Sequence, residues 1–134
     1  MRIVVADTNF LLSPFQFRYN MEYELLRILG SYKIVVPKRV LNELKSLAGN
    51  KKKIKDAIAA RNALEMIEKK GFEIVDFNKN KADDEIIEAA KALNGIVATN
   101  DKILKSRTLK EGIPCIFLRE KKYLVLVYPA DYEI

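Results

Sequence analysis

The chain contains no histidine and a single cysteine, Cys115, among its 134 residues. The absence of histidine excludes Ser-His-Asp and Cys-His catalysis and the common zinc-finger ligand sets. One cysteine cannot form a disulfide within the chain. Cys115 lies inside the apolar run 113–118, where a buried small side chain is its simplest role. Hydrolytic chemistry in this protein must therefore rest on carboxylates.

Long hydrophobic runs are also missing. No segment approaches the roughly 18 uncharged apolar residues that a membrane span needs, and the apolar run after Arg2 is too short for a signal peptide. We therefore expect a cytoplasmic protein that does not act at a membrane. The chain has no repeat, low-complexity tract or linker, and its length and 49% hydrophobic residues suit one domain spanning residues 1–134.

Carboxylates follow short apolar runs at several places along the chain. Asp7 comes directly after the β-branched run 3–6, and Asp101 closely follows the run 96–98. Asp83 and Asp84 open a helical pattern that begins after the run 72–75 and a polar stretch. β-branched runs that end in turn or capping residues are typical of strands that lead into helices.

Helical patterns separate these predicted strands. They cover the segments 22–29, 40–47, 54–67 and 86–93, and a further apolar run, 34–36, is closed by Pro37, which suits the first position of a helix. Strands that alternate with helices predict an α/β fold with a parallel central sheet of about four to five strands and helices on both faces. In such open sheets, ligands bind outside the carboxyl ends of the strands.

Glu43 belongs to the helix predicted after Pro37, about two turns from its start. At about 100° per residue it lies roughly 60° from Val40, at the edge of the apolar stripe that Leu44 continues. This position suits a side chain that faces a cleft. With Asp7, Asp83 and Asp101 at one edge of the sheet, oxygen ligands of this kind favour Mg²⁺ or Mn²⁺.

The formal net charge is +6 and the pI is about 9.4. A basic surface around an acidic metal-binding cleft fits a polyanionic substrate. The basic residues predicted to contact such a substrate are Lys38, Arg39, Lys51, Lys52, Lys53, Lys102, Lys105 and Arg107.

These motifs together resemble a PIN-domain nuclease. The resemblance rests on Asp7-Thr8-Asn9, on 40–44, on the 83–90 segment and on 98–101, in this order over nearly the whole chain. It implies an endoribonuclease that hydrolyses single-stranded RNA with Mg²⁺ or Mn²⁺, usually as a homodimer. It assigns catalytic and metal-binding roles to Asp7, Glu43, Asp83 and Asp101. Supporting roles fall to Thr8, Asn9, Asp84 and Thr99.

The tail of the sequence is similar to the PIN branch that processes small-subunit ribosomal RNA precursors. The similarity lies in the segments 113–119, 123–126 and 129–132 and in the Asp83-Asp84 doublet. It implies a role in rRNA maturation, with a ribosome-assembly factor as partner. VapC-type toxins, which pair with an antitoxin, share the acids and are the alternative. The cysteine clusters of some ribosome-assembly relatives are absent, so zinc-dependent docking is not expected.

Each motif also has a purely structural interpretation. Asp7 and Asp101 are good helix caps, Glu43 alone suits a solvent-facing position, and Asp83 can form a capping-box-like pair with Asn80. The lysine run 51–55 is commonly a solvated face. Capping does not explain why the acids converge, and this favours a metal site.

The sequence also bears on three other classes of protein. Haloacid dehalogenase-like phosphatases need a second aspartate where this chain has Asn9, and receiver domains need an acidic pair after the first strand that is missing here. A PIN-like module that binds RNA or assembles particles without cutting remains the main alternative to the nuclease.

Overall fold

The computed structural model describes residues 1–131, so Tyr132 of the similar tail lies outside the described residues. The strands are β1 (Arg2–Ala6), β2 (Tyr32–Pro37), β3 (Glu73–Val75), β4 (Ile96–Ala98), β5 (Cys115–Arg119) and β6 (Tyr123–Val127). The helices are α1 (Thr8–Gln16), α2 (Met21–Leu29), α3 (Lys38–Ala48), α4 (Ile54–Lys70), α5 (Ala82–Leu93) and α6 (Lys102–Lys110), and a short 3-10 helix covers Pro129–Asp131. None of the helices within residues 1–131 is long and apolar enough to cross a membrane.

The strands form one sheet in the order β3-β2-β1-β4-β5-β6. All neighbouring pairs are parallel except β5 and β6, which pair antiparallel. The predicted α/β fold is therefore confirmed, with six strands in the described part of the chain. The added strand is β6, which lies at the edge next to β5.

The middle of the sheet is fully buried. Val4, Val5 and Ala6 of β1 and Val97 and Ala98 of β4 have no exposed surface. Strands that are covered on both faces need apolar side chains pointing in both directions, which explains why these runs are continuous rather than alternating. Helices α1, α3 and α4 pack on one another, and α5 packs against β1, β2 and β4.

The strand order reverses between β1 and β4, which are adjacent in the sheet although much of the chain separates them. Chain segments leave these two strands in opposite directions, so a crevice opens between their carboxyl ends. Asp7 directly follows β1, and Asp101 follows β4 by three residues. The fold therefore brings these two acids to the topological switch point.

Two sequence-based assignments differ in detail. Pro37 is the last residue of β2 and the N-cap of α3, and the helix itself begins at Lys38. Pro37 pairs with Val75 in the sheet, so its fixed φ serves the strand end as well as the helix start. Asn80 does not cap α5, because the N-cap is Lys81 and its side chain makes no capping hydrogen bond.

Candidate active site

A cleft of about 500 Å³ lies at the switch point. All four predicted carboxylates line it, and each comes from a different part of the fold: Asp7 from the β1–α1 junction, Glu43 from α3, Asp83 from α5 and Asp101 from the start of α6. Thr8, Asn9, Leu12, Lys81 and Ala82 complete the lining. The acids that the sequence predicted to converge therefore share one cleft.

Asp7 is the most enclosed of the four acids, with 7% of its surface exposed. Its Oδ1 accepts a hydrogen bond of 2.7 Å from the backbone N–H of Thr8, and its Oδ2 accepts one of 2.7 Å from the hydroxyl of Thr99. A carboxylate has about four lone-pair sites, so both oxygens keep capacity for a further partner. The two hydrogen bonds fix the orientation of the carboxylate and therefore the direction of its free lone pairs.

Thr99 connects the two acids at the switch point. Besides donating to Asp7, its hydroxyl accepts a 3.1 Å hydrogen bond from the backbone N–H of Asp101. Asn9 lies alongside, and its Oδ1 accepts a 2.9 Å hydrogen bond from the backbone N–H of Asn100. Thr99 and Asn9 therefore connect the segment after β4 to the start of α1 and fix the positions of the two segments relative to each other.

Asp101 caps α6 as the structural interpretation predicted. Its Oδ1 accepts hydrogen bonds from the backbone N–H groups of Ile103 and Leu104, at 2.8 and 3.1 Å. The carboxylate also lines the cleft, so capping and site formation are both features of the same side chain. Capping uses one oxygen and leaves Oδ2 available in the cleft.

The doublet Asp83-Asp84 separates into two roles. Asp83 lines the cleft, whereas Asp84 forms an ion pair of 2.8 Å with Arg107 of α6. Arg107 also pairs with Glu111 at 3.0 Å, and Glu111 in turn pairs with Lys91. These ion pairs connect α5 to α6 beside the cleft, so Asp84 supports the arrangement while Asp83 faces the cleft.

The electrostatics of the cleft are those of crowded acids. Burial raises the pKa of Asp7, and the nearby Asp83 and Asp101 raise it further, while the bonds from Thr99 and Thr8 oppose the shift. Burial and then Asp7 raise the pKa of Glu43. Burial and then Asp101 raise the pKa of Asp83. A bound cation would relieve this repulsion.

The hydroxyl of Thr8 lies beside Glu43 in the cleft. Its hydrogen-bonding interaction with the Glu43 carboxylate lowers the pKa of that carboxyl and so opposes the rise that burial causes.

The donor set fits a hard divalent cation that keeps much of its water. Within residues 1–131, no three Asp, Glu or Cys side chains are grouped closely enough to hold an ion among themselves as they stand. Mg²⁺ is usually bound through one or two carboxylates together with waters and phosphate oxygens. Such an ion suits this open cleft, whereas a site that requires three or four protein ligands does not.

The predicted RNA-contacting residues are spread over several regions. Lys38 and Arg39 open α3 at the end of β2, and Lys102 begins α6 directly after Asp101. Lys105 instead stacks over Phe117, with its Nζ 4.0 Å from the ring centre, and Arg107 is held in the ion pairs described above. The residues 51–53 follow the far end of α3, roughly 15 Å along the helix from its first residue. None of these residues lines the carboxylate cleft.

Two residues near the site were not anticipated. Lys81 lines the cleft and is the one cation in its lining. Glu85 is completely buried, and its carboxylate accepts hydrogen bonds from the backbone N–H groups of Arg39 at 2.8 Å and of Phe77 at 2.9 Å. Glu85 sits in the first turn of α5, where an acid is ordinarily explained by the helix dipole, so the sequence carried no signal for its role.

The architecture defines an α/β domain with a carboxylate cleft at its switch point, and the comparison with known families agrees. The family model described as "PIN like domain" matches residues 4–121, and the chain belongs to this family. The predicted resemblance at family level is therefore confirmed.

Similar proteins include two curated archaeal relatives. The chain is 39% identical to Ribonuclease VapC4 of Methanocaldococcus jannaschii, over 90% of this chain and 92% of that protein. It is 34% identical to Ribonuclease VapC9 of Archaeoglobus fulgidus, over 91% of this chain and 87% of that protein. Among solved structures, the PIN domain endonuclease Utp24 superposes with a TM-score of 0.77 at 27% identity, covering 94% of this chain and 91% of that one.

Proposed function

We propose that this chain is a divalent-metal-dependent endoribonuclease that hydrolyses single-stranded RNA in the carboxylate cleft. The observation that carries the proposal is the convergence of Asp7, Glu43, Asp83 and Asp101 on one cleft at the switch point of the sheet. Capping accounts for Asp101 and in part for Asp7, but it does not require Glu43 and Asp83 to face the same space. Two curated relatives that cover most of the chain are named ribonucleases, which supports RNA as the substrate.

Each side chain has a defined task in this proposal. Mg²⁺ or Mn²⁺, when bound, would supply Lewis acidity for phosphodiester hydrolysis. Asp7, Glu43, Asp83 and Asp101 would surround the ion, one or two of them as direct ligands and the others through its bound waters. Thr99 keeps Asp7 oriented through its 2.7 Å bond, a positioning task of the kind that outer residues perform in metal sites.

Two further groups of the cleft would meet the substrate. The hydroxyl of Thr8 lines the cleft and can donate a hydrogen bond to a phosphate oxygen. Lys81 places positive charge in the cleft lining, where it would attract the same phosphate. The net charge of +6 favours the approach of RNA from solution.

The first experiment is cleavage of a single-stranded RNA pool by the purified protein with Mn²⁺, with EDTA, and with Asp7→Asn in parallel. Glu88→Gln is the matched control, because Glu88 is an exposed acid on α5 that does not line the cleft. We expect cleavage by wild type and Glu88→Gln with Mn²⁺ only, and none by Asp7→Asn. If wild type binds RNA but never cuts it, the non-cleaving RNA-binding or assembly module is the better description.

The identity of the RNA that the protein cleaves distinguishes between two biological roles. The tail similarity favours maturation of a small-subunit rRNA precursor, while the identity to VapC4 and VapC9 favours a toxin ribonuclease that pairs with an antitoxin. A single specific cut in a precursor of small-subunit rRNA supports the first role. Cuts in other cellular RNAs that stop when a co-expressed antitoxin is present support the second. The homodimer and the cytoplasmic location stay predictions.

A further inference from the structure

A groove of about 300 Å³ continues from the carboxylate cleft along α3. It is lined by Arg39, Asn42, Glu43, Ser46, Asn80 and Ala82. Glu43 and Ala82 belong to both the groove and the cleft. A strand whose phosphate lies in the cleft and which extends past Glu43 therefore enters the groove with its next nucleotide.

The groove differs from the cleft in its chemistry. Asn42, Ser46 and Asn80 are uncharged, and their side chains make no hydrogen bond within the part of the chain that the structure describes. An asparagine amide offers both a donor and an acceptor, which is the combination that reads the edge of a nucleobase. Arg39 also lines the groove, but its Nε donates to the carbonyl of Lys79, and the Glu43 carboxylate at the shared wall would repel a phosphate. The groove therefore suits a base better than a phosphate.

The spacing along α3 presents these groups together. Asn42 and Ser46 are four residues apart and lie about 40° from each other around the helix, and Glu43 lies about 60° beyond Ser46. An arc of roughly 100° therefore carries the acid of the cleft at one edge and two uncharged hydrogen-bonding groups on the rest.

The two walls of the groove are fixed relative to each other. One wall is α3 and the other is the loop 76–81 that leads into α5. The buried carboxylate of Glu85 accepts a hydrogen bond from each wall, from Arg39 N–H and from Phe77 N–H, and the side-chain Nε of Arg39 donates a 2.7 Å bond to the carbonyl of Lys79. A site whose walls are held in advance loses less entropy on binding.

We propose that this groove is a base-reading subsite for the nucleotide next to the scissile phosphate. Asn42 and Asn80 hydrogen-bond to the base edge from opposite walls, and Ser46 adds a hydroxyl partner. Single-stranded RNA can place an unstacked base in such a site. The inference rests on the proposed function in taking RNA as the substrate, and it adds that the enzyme prefers particular bases at one position beside the cut.

The test is the base preference of cleavage, measured from the product ends of a random single-stranded RNA pool with Mn²⁺. Variants are Asn42→Ala, Ser46→Ala and Asn80→Ala, and the control is Lys45→Ala, an exposed residue of the same helix outside the groove. For each asparagine variant we expect the preference at one flanking position to fall by about tenfold, since one amide–base pair discriminates by that order. Lys45→Ala should keep the wild-type preference. A uniform loss of rate over all four bases, or an unchanged preference in all three variants, overturns the proposal.

A binding selection separates this proposal from the nuclease proposal. The same RNA pool is bound to Asp7→Asn, which should not cut, and to Asp7→Asn combined with Asn42→Ala, and the bound RNA is sequenced. A base enriched by the first protein and lost in the second supports the subsite even if wild type never cleaves. No enrichment, or an enrichment that survives Asn42→Ala, refutes the subsite even if cleavage depends on metal and Asp7 as expected.

Discussion

Glu85→Gln tests whether one buried carboxylate holds the two walls of the site together. Glu85 is fully buried and accepts hydrogen bonds from Arg39 N–H and Phe77 N–H. Glutamine has nearly the same shape but only one acceptor oxygen, so one of the two N–H groups would face the amide NH₂. Loss of a charge-assisted hydrogen bond and of one satisfied donor should lower the free energy of unfolding by about 2 to 3 kcal/mol.

Urea unfolding followed by circular dichroism measures this loss. For a domain of this size the midpoint should fall by about 1 to 2 M. Glu88→Gln, three residues further along α5 at an exposed position, removes the same charge from the same helix and should leave the midpoint unchanged. Equal midpoints for Glu85→Gln and Glu88→Gln would refute the reasoning, because the paired N–H groups would then contribute nothing measurable.

Four further outcomes follow from the cleft and its surroundings. Mn²⁺ at about 100 times its Kd should raise the unfolding free energy of wild type by about 2.7 kcal/mol, and much less in Asp7→Asn, as a thermal melt with and without the ion will show. In metal-free protein, the raised pKa of Asp7 keeps its proton bound to higher pH in the folded state than in the unfolded chain, so its contribution to the free energy of unfolding is complete below about pH 4 and is lost as the pH rises through the folded pKa. Asp7→Asn should flatten that part of the plot of unfolding free energy against pH, and an identical plot contradicts the assignment. Thr99→Val should lose the hydrogen bonds to Asp7 and Asp101, raise the pKa of Asp7 further and shift the pH–rate profile to higher pH, whereas Thr99→Ser should retain the wild-type profile. For binding of single-stranded RNA, Lys102→Ala should reduce the slope of the logarithm of the association constant against the logarithm of the salt concentration by about 0.7. Arg107→Ala should leave this slope unchanged because the guanidinium is already paired with Asp84 and Glu111, and the opposite result would mean that Arg107 contacts the RNA.

Local patterns predicted the elements because each pattern reflects burial that the chain must satisfy. The run Ile3-Val4-Val5-Ala6 is apolar at every position because β1 is buried on both faces, and a fully apolar run is what a central parallel strand requires. The alternation of such runs with helical patterns was therefore enough to predict the α/β fold. The antiparallel edge strand β6 was not predicted, since Tyr123 to Val127 follow the three-residue turn 120–122 and only their pairing with β5 distinguishes them from an extended tail.

The convergence of the acids was predictable from topology in outline. Residues that follow parallel strands must lie at the same edge of the sheet, and this rule applies to Asp7 and Asp101 without knowledge of any side-chain contact. The prediction for Glu43 needed only helical geometry, because its angular position relative to Val40 places it beside the buried face. These three acids lie in the cleft as expected.

The remaining features depend on contacts between residues that are far apart in the sequence. Asp83 and Asp84 are neighbours with the same chemistry, and their different roles follow from Arg107, which reaches Asp84 from another helix. Glu85 became a buried bridge because α3 and the loop after β3 bring two N–H groups to its carboxylate. Sequence patterns report which face of an element is buried, because burial is periodic along the chain. Which partner a polar side chain meets is set by the packing of whole elements, and no local pattern encodes that choice.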